Sequence, residues 1–197
     1  IEKIVYWLEK AKGVAENDQQ KAVIEKLIQF YHDGDLKTFD AYAIEWVKDL
    51  DSRIDFVNCF TESYGDPLGM KASWESIVNF KDLEATKRTE TISSNAQWFE
   101  DHSPVDSRFK KETVKGVTAK VITAAIIGGD LYPATAIGIN LPNSNWIRSA
   151  HGSKSVTIGN FTEAYSKAAH GNGFAQEFVV SPAEIKLMET YGDLTDN

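Results

Sequence analysis

Two short stretches of this sequence carry side chains whose types and spacing suit chemistry. In the first, Thr61-Glu62-Ser63-Tyr64-Gly65-Asp66-Pro67-Leu68-Gly69, a carboxylate and a phenol stand two residues apart at the end of an expected strand. Residues i and i+2 of a strand point the same way, so Glu62 and Tyr64 would project together. The plainer alternative is an ordinary strand end with Glu62 solvated and Tyr64 half-buried. In the second, Gly138-Ile139-Asn140-Leu141-Pro142-Asn143, two carboxamides flank a proline that fixes the local backbone. An asparagine offers both donors and an acceptor, so a rigid pair can hold a peptide end through directed hydrogen bonds. An Asn-Pro turn whose side chains bond their own backbone explains the same residues. Spacing alone leaves both pairs of readings open.

Complete catalytic motifs are missing from the sequence. His32, His102, His151 and His170 are the four histidines, and none stands in an H-E-x-x-H pattern or pairs with another at ligand spacing. Surface or capping roles suit all four, and His170 adjoins an expected helix end at Gly171. Cys59 is the single cysteine, so neither an internal disulfide nor a thiolate zinc site can form from this sequence. A G-x-S-x-G nucleophile elbow and a phosphate loop are both lacking. Gly171-Asn172-Gly173 is too short to be a dinucleotide fingerprint, which leaves a nucleotide-binding enzyme poorly supported. Asn160-Phe161-Thr162 matches a glycosylation sequon, but Asn160 reads better as a helix cap with Glu163 three residues on.

The elements that would position these side chains follow from periodicity. Residues 1–50 read as three amphipathic helices. The first carries Ile4, Val5, Trp7, Leu8 and Ala11 at helical spacing and ends at Gly13. The second spans 18–32, with Val23, Leu27, Ile28 and Tyr31 as its stripe and Asp33-Gly34 as its stop. Asp35 caps the third, lined by Phe39, Tyr42, Trp46, Val47 and Leu50. Residues 53–64 then alternate with period two, Ile54, Phe56 and Phe60 against Asp55, Val57 and Cys59. A face that begins apolar and turns polar at Asn58 and Glu62 suits a strand leaving the core for a cleft.

Beyond the turn at 65–69, residues 74–80 form a second short strand. Residues 81–99 read as one polar helix with Leu83, Thr86, Ile92 and Trp98 inward. Residues 114–127 give one or two strands, broken by Gly128-Gly129-Asp130. Residues 132–141 are extended until Pro142, and 155–158 form a short strand. A helix opens at Asn160 and runs to about residue 170, and another opens at Ser181-Pro182-Ala183-Glu184 and ends at Gly192. The class is α+β: N-terminal helices (1–50), then a mixed or antiparallel sheet or small barrel with flanking helices (51–197), all in one lobe.

Composition narrows the partners. The chain has 197 residues, 42% hydrophobic and 25% charged, as expected of a globular protein. A net charge of −8 disfavours nucleic acid and anionic membrane surfaces. No apolar run approaches a membrane span. The sequence opens at Ile1-Glu2-Lys3 with neither Met nor signal peptide, which suggests a processed or trimmed product, and bacterial cytoplasm and periplasm both stay open.

Longer words give a more specific pointer. Glu62-Ser63-Tyr64-Gly65-Asp66-Pro67-Leu68-Gly69 is similar to the E-x-Y-x-D-P-x-G segment of the dipeptidyl peptidase III family, peptidase family M49. Trp74-Glu75-Ser76 follows at the expected distance. Gly138-Ile139-Asn140-Leu141-Pro142-Asn143 matches its G-I-N-x-P-N segment, and Gly152-Ser153-Lys154-Ser155-Val156-Thr157-Ile158-Gly159-Asn160 resembles G-x-K-x-V-x-x-G-N. The order is right across residues 54–160. The texture is most similar to bacterial, Bacteroidetes-type members, and the N-terminal helices fit loosely.

The resemblance implies a two-lobed zinc exopeptidase that removes dipeptides from the free N-terminus of short peptides. It implies that Glu62 pairs with the substrate α-ammonium group and that Asn140 and Asn143 bind the N-terminal peptide unit. Tyr64 would hydrogen-bond the scissile carbonyl as charge develops, as a catalytic residue, and Glu75 would also lie in the cleft. Carboxylate and carboxamides capping the amine end would act as a ruler for dipeptide release. The family's H-E-x-x-G-H zinc motif and its second, glutamate-bearing motif lie beyond the matched region, and this sequence stops at residue 197 before either. The expectation is therefore a substrate-binding fragment with no metal site of its own, inactive alone, whose partners are short peptides and the remainder of the parent enzyme, with zinc in that parent. The alternative is a free-standing peptide- or carbohydrate-binding module using its five tryptophans.

Overall fold

Three helices open the chain, each for a readable local reason. α1 (Glu2–Lys12) buries Leu8. α2 (Asp18–Asp33) starts where the Asn17 side chain accepts the Gln20 N–H at 2.8 Å, and stops at Gly34 in the left-handed region, φ 65°. α3 (Leu36–Lys48) is capped by Asp35, whose carboxylate accepts the Lys37 N–H at 2.8 Å. Val23, Ile24, Leu27, Ile28 and Tyr31 of α2 and Tyr42, Ala43, Trp46 and Val47 of α3 are buried, so these two stripes make the helical core. Trp7 is instead 67% exposed and Leu50 is exposed, which corrects their assignment to core stripes. α1 contributes only a narrow apolar line, and Trp7 stands beside that line.

The computed structural model describes residues 1–62, 66, 68, 70, 73–114, 117–133, 136–169, 181–183 and 186. An open five-stranded mixed sheet follows the helices, in the order β1-β2-β3-β5-β4, from β1 (Ile54–Glu62), β2 (Ser73–Lys81), β3 (Val117–Gly129), β4 (Gly138–Leu141) and β5 (Ser153–Ile158). The sheet is not closed, so the small-barrel alternative is set aside and the α+β class stands. β2 and β3 pair antiparallel from Glu75↔Gly129 to Lys81↔Ile122. The register slips between Val78, opposite Ile126, and Asn79, opposite Ala124, which leaves Ala125 as the extra residue of a bulge.

Helices flank the strands. α4 (Leu83–Ser94) and α5 (Ala96–His102) replace the single helix expected over 81–99, and the break falls at Asn95. Ala85 and Thr86 are the buried residues of α4, whereas Leu83, Ile92 and Trp98 are exposed, opposite to expectation for all but Thr86. A polar helix has no strong stripe, and here hydrogen bonding decides its seat: Thr86 Oγ1 donates to the Val121 carbonyl and accepts the Val121 N–H, both at 3.2 Å. α6 (Asn145–His151) had no sequence signal and is anchored by fully buried Ile147. α7 is Gly159–Ala169. Residues 131–133 are turn rather than strand, so only Gly138–Leu141 of the extended stretch expected over 132–141 is β structure. Pro182 and Ala183 are helical, but most of the helix expected after Ser181, and His170 with Gly171, lie outside the described residues.

The chain divides into two compact units. One holds Ile1–Asp55, Asn95–Thr118 and Asn140–Ser155; the other holds the described residues of Phe56–Ser94, Ala119–Ile139 and Val156–Asn197. Among the described residues no helix is long and apolar enough to cross a membrane.

Candidate functional site

In the first unit the carboxamide segment is held from both ends. Leu141 and Pro142 are buried while Asn140 and Asn143 are exposed, so the backbone is seated and the two carboxamides remain accessible. The Asn140 Nδ2 donates to the Ser155 Oγ at 2.9 Å, across to β5 rather than to its own turn. Just upstream, in the second unit, Gly138 runs so close to β5 that a Cβ there would sit 3.1 Å from the Val156 carbonyl oxygen. On the far side of Asn143, buried Ile147 seats α6, which packs on α3.

β5 alternates cleanly. Lys154, Val156 and Ile158 are buried, and Ser153, Ser155 and Thr157 lie on the more open face. Lys154 is fully buried. Its Nζ lies 2.8 Å from the Asp55 Oδ2 and 4.3 Å from the centre of the Trp46 ring, and the Trp46 Nε1 donates to the Asp55 Oδ1 at 2.9 Å. Sequence reasoning gave Lys154 no role. The signal was present, because Lys154 shares the parity of Val156 and Ile158 in an alternating strand.

The entry to β1 is fixed by a second polar cluster in the same unit. The Glu16 carboxylate accepts the Arg53 N–H at 3.0 Å and the Ile54 N–H at 2.7 Å, and the Gln20 Nε2 donates to the Ile54 carbonyl at 2.7 Å. Asn17 donates to the Ser52 hydroxyl, which donates to Asp49. Burial pushes the Glu16 carboxyl up, but the two backbone donors and Gln20 outweigh it and hold the group below its ordinary range.

From this anchor β1 runs on to Glu62, its last residue. Its buried side chains are Val57 and Cys59, while Ile54 and Phe60 are exposed. The expected core face is thus inverted, since alternation marks two faces without saying which is covered. Burial pushes the Cys59 thiol up to about 12, which makes it an inert core residue rather than a nucleophile. The Glu62 side chain and the whole of Tyr64 fall outside the described residues. Glu75, on β2, is 8% exposed and shares a buried face with Ile77 and Asn79. Its strand end is closed by Gly129, φ 63°, where a Cβ would stand 2.0 Å from the Trp74 carbonyl oxygen. The structure therefore places Asn140 and Asn143 in one segment of the first unit, and Glu62 and Glu75 on neighbouring strands of the second.

The G-N pair that closes the last motif is architectural. A Cβ at Gly159 would meet Val121 Cγ1 at 3.0 Å. Asn160 is inside α7 and does not cap it: its side chain bonds both backbone groups of Ala124 on β3. Among the described residues no group of three or more His, Cys, Asp or Glu side chains is placed to hold a metal ion.

Comparison with known proteins decides the kinship. The family model for Peptidase family M49 matches residues 1–193. The chain belongs to peptidase family M49. Among curated members, it is 30% identical over 167 residues to dipeptidyl peptidase 3 of Dictyostelium discoideum, covering 83% of this chain and 23% of that protein. It is 27% identical over 166 residues to dipeptidyl peptidase 3 of Nematostella vectensis, covering 84% of this chain and 22% of that protein. The M49 chain thus spans less than a quarter of the curated relatives it matches. The solved structure of dipeptidyl peptidase III from Caldithrix abyssi shares its fold with a TM-score of 0.80 at 22% identity, over 96% of this chain and 36% of that one.

Proposed function

We propose that this M49 chain is the peptide-gripping part of a zinc-dependent dipeptidyl peptidase that releases dipeptides from the N-termini of short peptides. The observation that carries the reading is the accessible Asn140, its amide steadied by Ser155 within a segment whose neighbours Leu141 and Pro142 are buried. Family membership and the activity named for its relatives supply the reaction class.

In this reading Glu62 pairs with the α-ammonium group and so selects a free N-terminus. Asn140 and Asn143 hold the first peptide unit through their carboxamides. Tyr64 donates a hydrogen bond to the scissile carbonyl oxygen as it gains charge. The reading also gives Glu75 a place in the cleft. In the same reading zinc and its ligands belong to the rest of the parent enzyme, and the chain alone is inactive.

The test is kinetic, in the full-length enzyme with dipeptidyl-arylamide substrates. Glu62→Gln, Asn140→Ala and Asn143→Ala raise KM more than they lower kcat, and Tyr64→Phe does the reverse. The opposite order would overturn these roles. Zinc-dependent turnover by the pure 197-residue chain would overturn its reading as a part.

Exposed tryptophans favour a second reading. Trp7, Trp98 and Trp146 are 67%, 54% and 53% exposed, against the inward places expected of Trp7 and Trp98, while Trp46 is buried as its stripe requires. A free-standing carbohydrate-binding module would show saturable quenching of tryptophan fluorescence by oligosaccharides, and the peptidase reading expects none.

A further inference from the structure

We propose that Lys154, clamped by Asp55 and Trp46, is a positioning residue that sets the orientation of the Asn140 carboxamide through Ser155. The proposal rests on the reading of Asn140 as a peptide-binding residue and adds what aims it.

Three elements meet at the clamp: Trp46 from α3, Asp55 from β1 and Lys154 from β5. Fully burying a lysine against a partly buried carboxylate is a costly way to fill space, because well-packed apolar residues of similar volume serve stability as well or better. What the ion pair supplies is direction. A charge-assisted bond of 2.8 Å fixes where along β5 the ammonium group must lie, and the Trp46 ring at 4.3 Å closes one side of it.

Register carries this constraint to the site. Lys154 and Ser155 are consecutive on a strand, so locking one inward locks the other outward. A slip of one residue would turn Ser155 inside and break its bond to Asn140. That bond occupies one Nδ2 hydrogen of Asn140 and leaves the Oδ1 and the second N–H for a ligand. The Oδ1 can then accept from a donor such as a peptide N–H or an α-ammonium. The clamp therefore fixes the place of the amide that meets the ligand.

The readout is the Asn140 side-chain amide in 1H–15N spectra of the 197-residue chain, identified by its loss in Asn140→Asp. Ser155→Ala shifts these signals directly. Lys154→Met shifts them too, at temperatures where circular dichroism shows the chain folded, and Lys154→Arg, which keeps the charge, moves them less. Should Lys154→Met not fold, Trp46→Phe, which keeps the ion pair but removes one bond to Asp55, produces a smaller shift of the same signals. In the full-length enzyme, Lys154→Met raises KM by about tenfold and changes kcat by less than about twofold. A folded Lys154 or Trp46 variant whose Asn140 amide is unmoved overturns the positioning role and leaves peptide binding by Asn140 standing. Ser155→Ala that moves the amide without changing KM overturns peptide binding by Asn140 instead.

Discussion

Asn160 bonds both backbone groups of Ala124 with one side chain. Its Oδ1 accepts the Ala124 N–H at 3.0 Å and its Nδ2 donates to the Ala124 carbonyl at 3.1 Å. Ala124 lies next to Ala125, the extra residue of the bulge, where ladder pairing is disturbed. The carboxamide thus acts as a short piece of strand, and it ties the start of α7 to β3 across 36 residues.

Asn160→Ala removes both bonds and is expected to cost about 1–3 kcal/mol, since each such bond nets about 0.5–1.5 kcal/mol. The Ala124 amide should lose hydrogen-exchange protection more than its neighbours on β3. Uniform loss along the strand, or none, would count against a local tie.

Glu16 links stability to acid. Its folded-state pKa lies below the ordinary 4.5, so the group binds fewer protons when folded and contributes stability above that value. The contribution is fully present at neutral pH and fades as pH falls from about 4.5 through the folded-state pKa. Urea midpoints of the wild type and Glu16→Gln should therefore differ at pH 7 and converge in acid. A gap that stays constant with pH would exclude the carboxylate as its source.

Two left-handed glycines should respond unequally to alanine. Gly34, φ 65°, has open space where a Cβ would go, so Gly34→Ala costs only the backbone strain of about 1–2 kcal/mol. Gly129, φ 63°, carries the same strain and would also drive a Cβ to 2.0 Å from the Trp74 carbonyl oxygen. Thermal unfolding of the two variants should rank Gly129→Ala far below Gly34→Ala. Equal losses would mean that the backbone beside Trp74 yields easily.

Cys59 should resist thiol reagents in the native chain. With its thiol pushed up to about 12, the thiolate fraction at pH 8 is roughly one in ten thousand, and the group is 1% exposed. Labelling should be slow in native buffer and immediate in denaturant. Rapid native labelling would show that β1 opens readily.

The sequence revealed whatever repeated along one element. α2 and α3 announced themselves through stripes such as Val23, Leu27 and Tyr31, and Asp35 and Gly34 marked their ends by local chemistry. Pairings distant in sequence were hidden. Asn160 carried the local mark of a cap, yet its partner is Ala124, and no local rule gives that. The alternation of β1 showed two faces, but covering Val57 and Cys59 rather than Ile54 and Phe60 is a property of the whole fold. At the site, the words around Asn140 and Asn143 were legible, whereas the partnership of Asn140 with Ser155 needed the adjacency of β4 and β5.

The separation of Asp55 and Lys154 bears on how the protein is made. The carboxylate emerges from the ribosome 99 residues before the ammonium group that completes it. At roughly 5–20 residues per second, the wait is on the order of 5–20 s. The nascent helices must spend that interval with an unfinished polar joint, and translation speed between the two codons becomes a variable of folding yield.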